Sequence, residues 1–308
     1  MESDAAAAAS TTEQGELTGE VPTLPAREWF FETHPVAPEH FNMSLALALD
    51  PETDESALLM ALGAVLSQHD ALRTTFSGRT SARYEDRSSV TAEGIFASHD
   101  LPEDDAEAEA RWQRLATAAQ ADLDLDGGPL IRVLLGRRGA GRAPWFFIAA
   151  HHLVIDGVSL RILLEDLSTA YEQAAAGHTP DLGPKTTSVR QWAQELAAHT
   201  ARGGFDAQRA HWTSATAQAD HRLPLDNPDG TNTVASARSV SVALSVEETE
   251  ALVQRVPAVY RTQANDVLLT ALARVLRGWT GRDRVPVLLE GHGREELFAG
   301  VDLTRTVG

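Results

Sequence analysis

Between Trp145 and Gly157 the chain reads WFFIAAHHLVIDG, and this stretch limits what the rest can fold into. The residues ahead of its two histidines carry only apolar side chains, back to Ala143. A strand with one wet face would show polar residues at every second position, so the run predicts a strand buried on both faces. Polar chemistry then begins where that strand ends. His151 and His152 are neighbours, so on an extended backbone their side chains point to opposite faces and only one can look into a given cavity, which makes them a poor metal pair. Asp156-Gly157 breaks the strand, and GVSLRILLEDLSTAYEQAAAG places Leu160, Leu163, Leu164, Leu167 and Tyr171 at helical spacing. A histidine is thereby expected at a strand-to-helix turn.

Residues 1–18 are rich in Ala, Ser, Thr and Glu without periodicity and read as a disordered lead-in or linker. A helix is expected to begin near Pro25, a strand in HFNMSLALALD, a helix over 54–69 with an acidic first turn, and a strand in ALRTTF. An acidic helix over 103–123 leads through the turn Asp126-Gly127-Gly128-Pro129 to a strand, LIRVLLG, and the basic loop RRGAGRAP joins that strand to the central one. The Pro/Gly-rich text GHTPDLGPKTTS sets a boundary at 178–187. Beyond it lie two helices whose Trp192 and Trp212 are expected in a core, a loop (DNPDGTN), a strand (SARSVSVALS) and a helix from Val246. The helix ANDVLLTALARVLRGWTG has an apolar stripe of Val267, Leu268, Ala271, Val275 and Trp279, and VPVLLEGHGREEL predicts a buried strand emerging at Glu290 into the turn Gly291-His292-Gly293.

Charge and composition narrow the partners. The 308 residues hold 26 basic and 44 acidic side chains, a formal charge of -18, which disfavours nucleic acid or an anionic membrane. There is no cysteine, so disulfides, a thiolate zinc site and a thiol nucleophile are excluded. No apolar run reaches the roughly 18 residues of a membrane span, and MESDAAAAAS lacks a basic n-region, so a cytoplasmic location is expected. No His/Asp/Glu cluster has metal-ligand spacing on one face, so no metal is expected.

The spacing His151-His152-x-x-x-Asp156-Gly157, followed by Ser159, resembles the signature of the condensation-domain superfamily of non-ribosomal peptide synthetases, which is related in fold to chloramphenicol acetyltransferase. Within that superfamily, HHLVIDGVSLRILLEDL and, above all, EGHGRE at 290–295 resemble the epimerization branch rather than domains that form peptide bonds. GEVPTLPAREWFFE is similar to the opening motif of that branch, and VDLTRTVG to the start of a further one. The resemblance implies a layered α/β fold of two chloramphenicol-acetyltransferase-like lobes, 19–177 and 188–308, the second incomplete because members of the family continue further. A chain without that continuation is expected to be inactive alone.

The resemblance also implies roles. His152 and Glu290, one from each lobe, would be the acid/base pair that removes and returns the Cα proton of an aminoacyl or peptidyl thioester. That thioester would be delivered on the 4'-phosphopantetheine arm of a carrier protein from neighbouring synthetase domains, with no cofactor bound by the domain itself. A histidine titrates near neutral pH and a carboxylate can be tuned toward it, so the two residue types suit the task. Arg73 would pair with Asp156 and fix the turn that presents His152. His151 would support its neighbour, His292 would line a tunnel or hold the turn, and backbone N–H groups near Gly157 would stabilise an enolate-like intermediate. Read without the resemblance, Arg73 is a surface arginine, Glu290 a solvated acid and Ser159 a helix cap. Two other readings stay open: an amide-forming condensation domain, and a non-catalytic recruitment module.

Overall fold

A computed structural model describes residues 12–34, 36–78, 81–217, 220 and 222–308. They fall into two compact units, one made of residues up to Gly203 together with Gly291–Gly308, the other Gly204–Glu290. The expected boundary at 178–187 rests on composition, whereas compactness divides the chain further on, because the helix after that linker packs with the first unit.

In the first unit, β1 (Gly19–Val21) precedes helix α1 (Pro25–Thr33), which has proline in its first turn where a missing N–H costs nothing. Strand β2 (Asn42–Ala48) leads to α2 (Glu55–Gln68), whose N-cap Asp54 accepts from the N–H groups of Ser56 and Ala57. The expected strand in ALRTTF starts late: Asp70–Arg73 is a single 3-10 turn, and only β3 (Thr74–Ser77) is extended. β4 (Ser81–Tyr84), the short α3 (Ala92–Ile95), β5 (Phe96–Asp100) and α4 (Asp105–Ala121) follow. β6 (Ile131–Arg137), β7 (Trp145–His151), α5 (Gly157–Ala175) and α6 (Val189–Ala201) complete the unit.

Two sheets result. A three-stranded sheet runs β1-β4-β3, and a four-stranded mixed sheet runs β2-β7-β6-β5 with only the β5/β6 pair parallel. β7 is inside the second sheet and covered on both faces, as its uninterrupted apolar text requires. Phe146, Ile148 and Ala150 join the main core with Leu62 and Leu66 of α2 and Ile162 and Leu163 of α5. Phe147 and Ala149 pack instead with Trp112 of α4. Gly136 makes that second contact possible, since a Cβ there would lie 2.8 Å from both Leu101 and Trp112.

The lead-in expected over 1–18 lies outside the described residues as far as Thr11, but 12–18 is fastened to the body. Leu17 is buried, Gln14 and Lys185 exchange hydrogen bonds of 2.9 Å in both directions, and Arg190 donates to the Thr18 carbonyl at 2.8 Å. Segment 302–308 is tied down similarly: Thr187 exchanges hydrogen bonds with the Asp302 backbone, and Arg305 joins Asp166, which also accepts from His69 Nε2 at 2.7 Å.

The second unit contains α7 (Asp206–Ala217), α8 (Val246–Glu250), a π turn over Ala251–Arg255, α9 (Val256–Tyr260) and α10 (Ala264–Thr280). Two sequence expectations fail here. SARSVSVALS and VPVLLE form no strand, and Val240, Val242 and Leu288 are exposed. A strand exists only with a hydrogen-bonding neighbour, and no described residue supplies one to either segment. Trp212 is likewise 59% exposed, unlike Trp192, which is buried beside Phe298 at 5.4 Å.

Candidate active site

The histidine turn grows out of β7. His151, the last strand residue, is completely buried, and both ring nitrogens are engaged: Nε2 donates to the Pro38 carbonyl at 2.8 Å and Nδ1 accepts from the Leu153 N–H at 3.1 Å. Burial pushes its imidazole below the usual histidine range, outweighing the Pro38 contact. A buried neutral ring with both nitrogens satisfied is a fixture of the fold rather than a proton carrier.

His152 is the half-buried member of the pair. Its backbone N–H donates to the Phe41 carbonyl at 2.9 Å, and its Nδ1 lies 2.9 Å from the Ile155 carbonyl. A carbonyl only accepts, so Nδ1 carries the hydrogen, and in the neutral ring the basic lone pair is on Nε2. The expectation from adjacency on a strand does not apply as stated, because β7 ends at His151 and His152 belongs to the turn, with both rings approaching Phe41, at 6.5 and 5.1 Å between centroids.

Asp156 and Ser159 divide the work at the start of α5. Asp156 is the N-cap, with Oδ1 accepting from the Ser159 N–H at 2.7 Å and from the Ser159 hydroxyl at 2.6 Å. Ser159, expected as the cap, is instead a buried donor to the capping carboxylate. Gly157, the first helical residue, has open space where a Cβ would sit.

The expected Arg73–Asp156 pair is absent. Arg73 is fully buried elsewhere, donating to Asp70 at 2.6 Å, to the Leu17 and Glu85 carbonyls at 3.3 and 3.2 Å, and to the Leu66 carbonyl. Its charge is met and all three guanidinium nitrogens donate within the α2–β3 corner, where Asp70 is only three residues away. Asp156 is held by Arg294, through Nη1 to Oδ2 at 2.5 Å and Nη2 to Oδ1 at 3.1 Å. Arg294 also donates to the Ser159 hydroxyl at 3.0 Å and to the Thr306 carbonyl at 2.7 Å. Partial burial would raise the Asp156 carboxyl, but Arg294 and Ser159 outweigh it and hold it below the ordinary carboxylate range.

His292 serves this arginine: its Nδ1 accepts from the Arg294 N–H at 3.0 Å, and its carbonyl accepts from Arg294 Nη1 at 3.1 Å. The turn needs glycine at Gly293, where φ is +67°. Glu290 is an exposed residue at the end of the second unit. The structure therefore gathers His151, His152, Asp156, Gly157 and His292 around one turn of the first unit, and it moves Arg73 away. Sequence reasoning missed Arg294, although the residue stands inside the EGHGRE string it had singled out.

Comparison with known proteins places the chain in a family. The condensation-domain family matches residues 18–308, nearly the whole chain. The chain belongs to the condensation-domain family. Within that family it is 43% identical over 297 residues to part of a linear gramicidin synthase from Brevibacillus parabrevis, covering 96% of this chain but 6% of that much longer relative. Among solved structures, the epimerization domain from the third module of tyrocidine synthetase B is similar at a TM-score of 0.84 and 33% identity, covering 96% of this chain and 68% of that one. VibH, a condensation enzyme of a non-ribosomal peptide synthetase, shares the fold at a TM-score of 0.60 and 20% identity, covering 83% of this chain and 58% of that one. The fold is thus the mixed α/β condensation-domain architecture, and the chain is a condensation-family domain of the type found in these synthetases. Among the described residues no helix is long and apolar enough to cross a membrane, and no group of three His, Asp or Glu residues could hold a metal ion.

Proposed function

We propose that this condensation-family domain inverts the Cα centre of an aminoacyl or peptidyl thioester presented on a carrier protein, converting L to D. The observation that carries the reading is EGHGRE at 290–295: its Arg294 clamps the Asp156 cap beside His152. The reading is further supported by the 33% identity and TM-score of 0.84 to an epimerization domain, against 20% and 0.60 to the condensation enzyme VibH.

Inversion requires that the Cα–H bond break on one face, its electron pair delocalising into the thioester carbonyl, and that a proton return on the other face. In the proposed mechanism His152 Nε2 exchanges the proton on one face and the Glu290 carboxyl on the other. The carbonyl oxygen gains negative charge, which the N–H groups of the first turn of α5, left uncovered by Gly157, are suited to receive. The thioester and its 4'-phosphopantetheine arm belong to the carrier, so the domain supplies binding and proton transfer with no cofactor of its own. Carrier and neighbouring synthetase domains would be its partners, in the cytoplasm.

The test is Cα exchange in deuterated solvent with an L-aminoacyl or L-peptidyl carrier protein, in a polypeptide that spans the full length of the tyrocidine synthetase domain. Label incorporation and a mixture of L and D products are expected. His152→Ala and Glu290→Gln should each abolish net inversion, although one-sided exchange can survive in either. Amide formation with a second carrier and no Cα exchange would refute the reading in favour of a condensation domain; carrier binding with neither reaction would leave a recruitment module.

A further inference from the structure

A run of aromatic rings leads away from the candidate base. The His152 imidazole lies flat against Phe41, with centroids 5.1 Å apart and planes 13° from parallel. Phe41 meets His34 at 4.6 Å, and His34 meets Trp29 edge to face at 5.6 Å. Phe41 ends the 3-10 turn Pro38–His40, while Trp29 and His34 come from α1 and its C-cap, within and just after the text GEVPTLPAREWFFE. Phe41 is 37% exposed and Trp29 45%, whereas Phe30, next to Trp29 in the chain, is 2% exposed. Among the described residues of the first unit, Trp29 and Phe41 are the two exposed aromatic side chains, and both belong to this run. Rings placed only to bury apolar area would be sealed like Phe30, and exposed apolar area gathered in one place marks a contact surface.

The chemistry at the turn decides what meets this surface. A base takes a proton from Cα at a heavy-atom separation of about 3–3.5 Å, so the other substituents of that carbon begin one bond away from the same spot. The thioester carbonyl calls for N–H donors, which the first turn of α5 supplies. An apolar side chain calls for apolar surface, and the run Phe41, His34, Trp29 is aromatic surface that begins at the base. We infer that this run is the subsite for the side chain of the residue being inverted, and that the side chain it takes is aromatic or long and apolar. A phenyl group extends far enough from Cα to pair with Phe41 at the centroid separation of about 4.5–7 Å that aromatic rings prefer, and a methyl group does not. This inference rests on the epimerization reading and deepens it, since it names the class of residue that the domain would choose.

The first measurement is a ratio. In the Cα-exchange assay, carrier protein loaded with L-phenylalanine should give a kcat/KM about 10- to 100-fold above carrier loaded with L-alanine. Trp29→Ala and Phe41→Leu should each lower that ratio about 3- to 10-fold. A change that only weakens the base or the fold slows both substrates alike and leaves the ratio where it was. The ratio is needed above all for Phe41, whose carbonyl also accepts the His152 N–H at 2.9 Å. Should Trp29→Ala fail to fold, Trp29→Leu keeps apolar bulk without the indole and carries the same test. The second measurement needs no turnover. N-acetyl-L-phenylalanyl pantetheine, titrated into the same polypeptide, should shift the Trp29 indole N–H resonance, assigned by its loss in Trp29→Phe, and N-acetyl-L-alanyl pantetheine at equal concentration should not. Equal kcat/KM for the two carriers in the wild-type protein would overturn the inference and leave the epimerization reading standing, as would a ratio that neither variant changes. No Cα exchange together with a phenylalanyl-specific Trp29 shift would sink the epimerization reading and keep the run as a side-chain subsite. Neither exchange nor shift would overturn both.

Discussion

Two arginine–aspartate pairs of the first unit use the same chemistry for different ends. Arg73 is wholly buried, with Asp70 and three backbone carbonyls around it, and Asp70 in turn accepts from Lys185 Nζ at 2.7 Å and the Leu17 N–H at 3.2 Å. That cluster stitches the end of α2, the β3–β4 sheet and the 12–18 strap into one corner. Arg294 sits at the edge of the core, holds a helix cap rather than a strand corner, and spends its remaining N–H groups on residues 292 and 306. The first pair is sealed inside the fold, whereas the second sits one turn from the candidate base and can be perturbed without opening the core. The comparison teaches that a motif aspartate takes its partner from whichever cation the fold brings to the helix start.

The contrast can be broken by mutation. Arg73→Ala should show the largest effect, about 3–5 kcal/mol of lost stability in chemical denaturation, since it deprives three carbonyls of their donor and leaves Asp70 with Lys185 as its remaining cation. Arg294→Ala should cost less, about 1–3 kcal/mol, while reducing Cα exchange through the loosened cap. Equal losses for the two variants would erase the distinction. Arg294→Lys should recover only part of the loss, because a point charge cannot reproduce the two-pronged contact to Asp156. Asp156→Asn should be milder still, on the order of 1 kcal/mol, as asparagine also caps helices, and a larger loss would show that charge outweighs capping.

Titration gives the finest probe. Asp156 and Asp166 have folded-state carboxyls held below the ordinary value: burial opposes this, while Arg294 and Ser159 for Asp156, and His69 and Arg305 for Asp166, outweigh it. Their stabilisation is therefore complete above the unfolded pKa of about 4 and is lost as pH falls through the folded values. His151 is also depressed, by burial, but as a base: below the unfolded value of about 6.5 the unfolded chain takes up a proton that the folded ring refuses, so stability drops already in mild acid. Denaturation curves at several pH values should show both limbs, and His151→Gln should remove the upper one. A single limb near pH 4 in the wild-type protein would contradict the buried neutral ring.

Much of this arrangement was legible without coordinates, because it depends on local pattern. The apolar run at 145–150 could only be a strand covered on both faces, Asp156-Gly157 could only interrupt it, and the leucine spacing from 160 onward could only continue as a helix. The motifs at 151–157 and 290–295 pointed to the family, whereas strand parity did not reach His152, which lies beyond the last residue of β7. Tertiary structure decided what no local pattern encodes. Asp156 could pair with either of two arginines, and the choice of Arg294, 138 residues away, follows from Asp70 standing nearer to Arg73. Phe41 and His34 look like ordinary core residues in the sequence, and only packing stacks them behind His152. The apolar texts at 236–245 and 285–290 show the same limit, since alternation and hydrophobicity describe what a segment can pair with, and a strand forms only when the fold provides the partner.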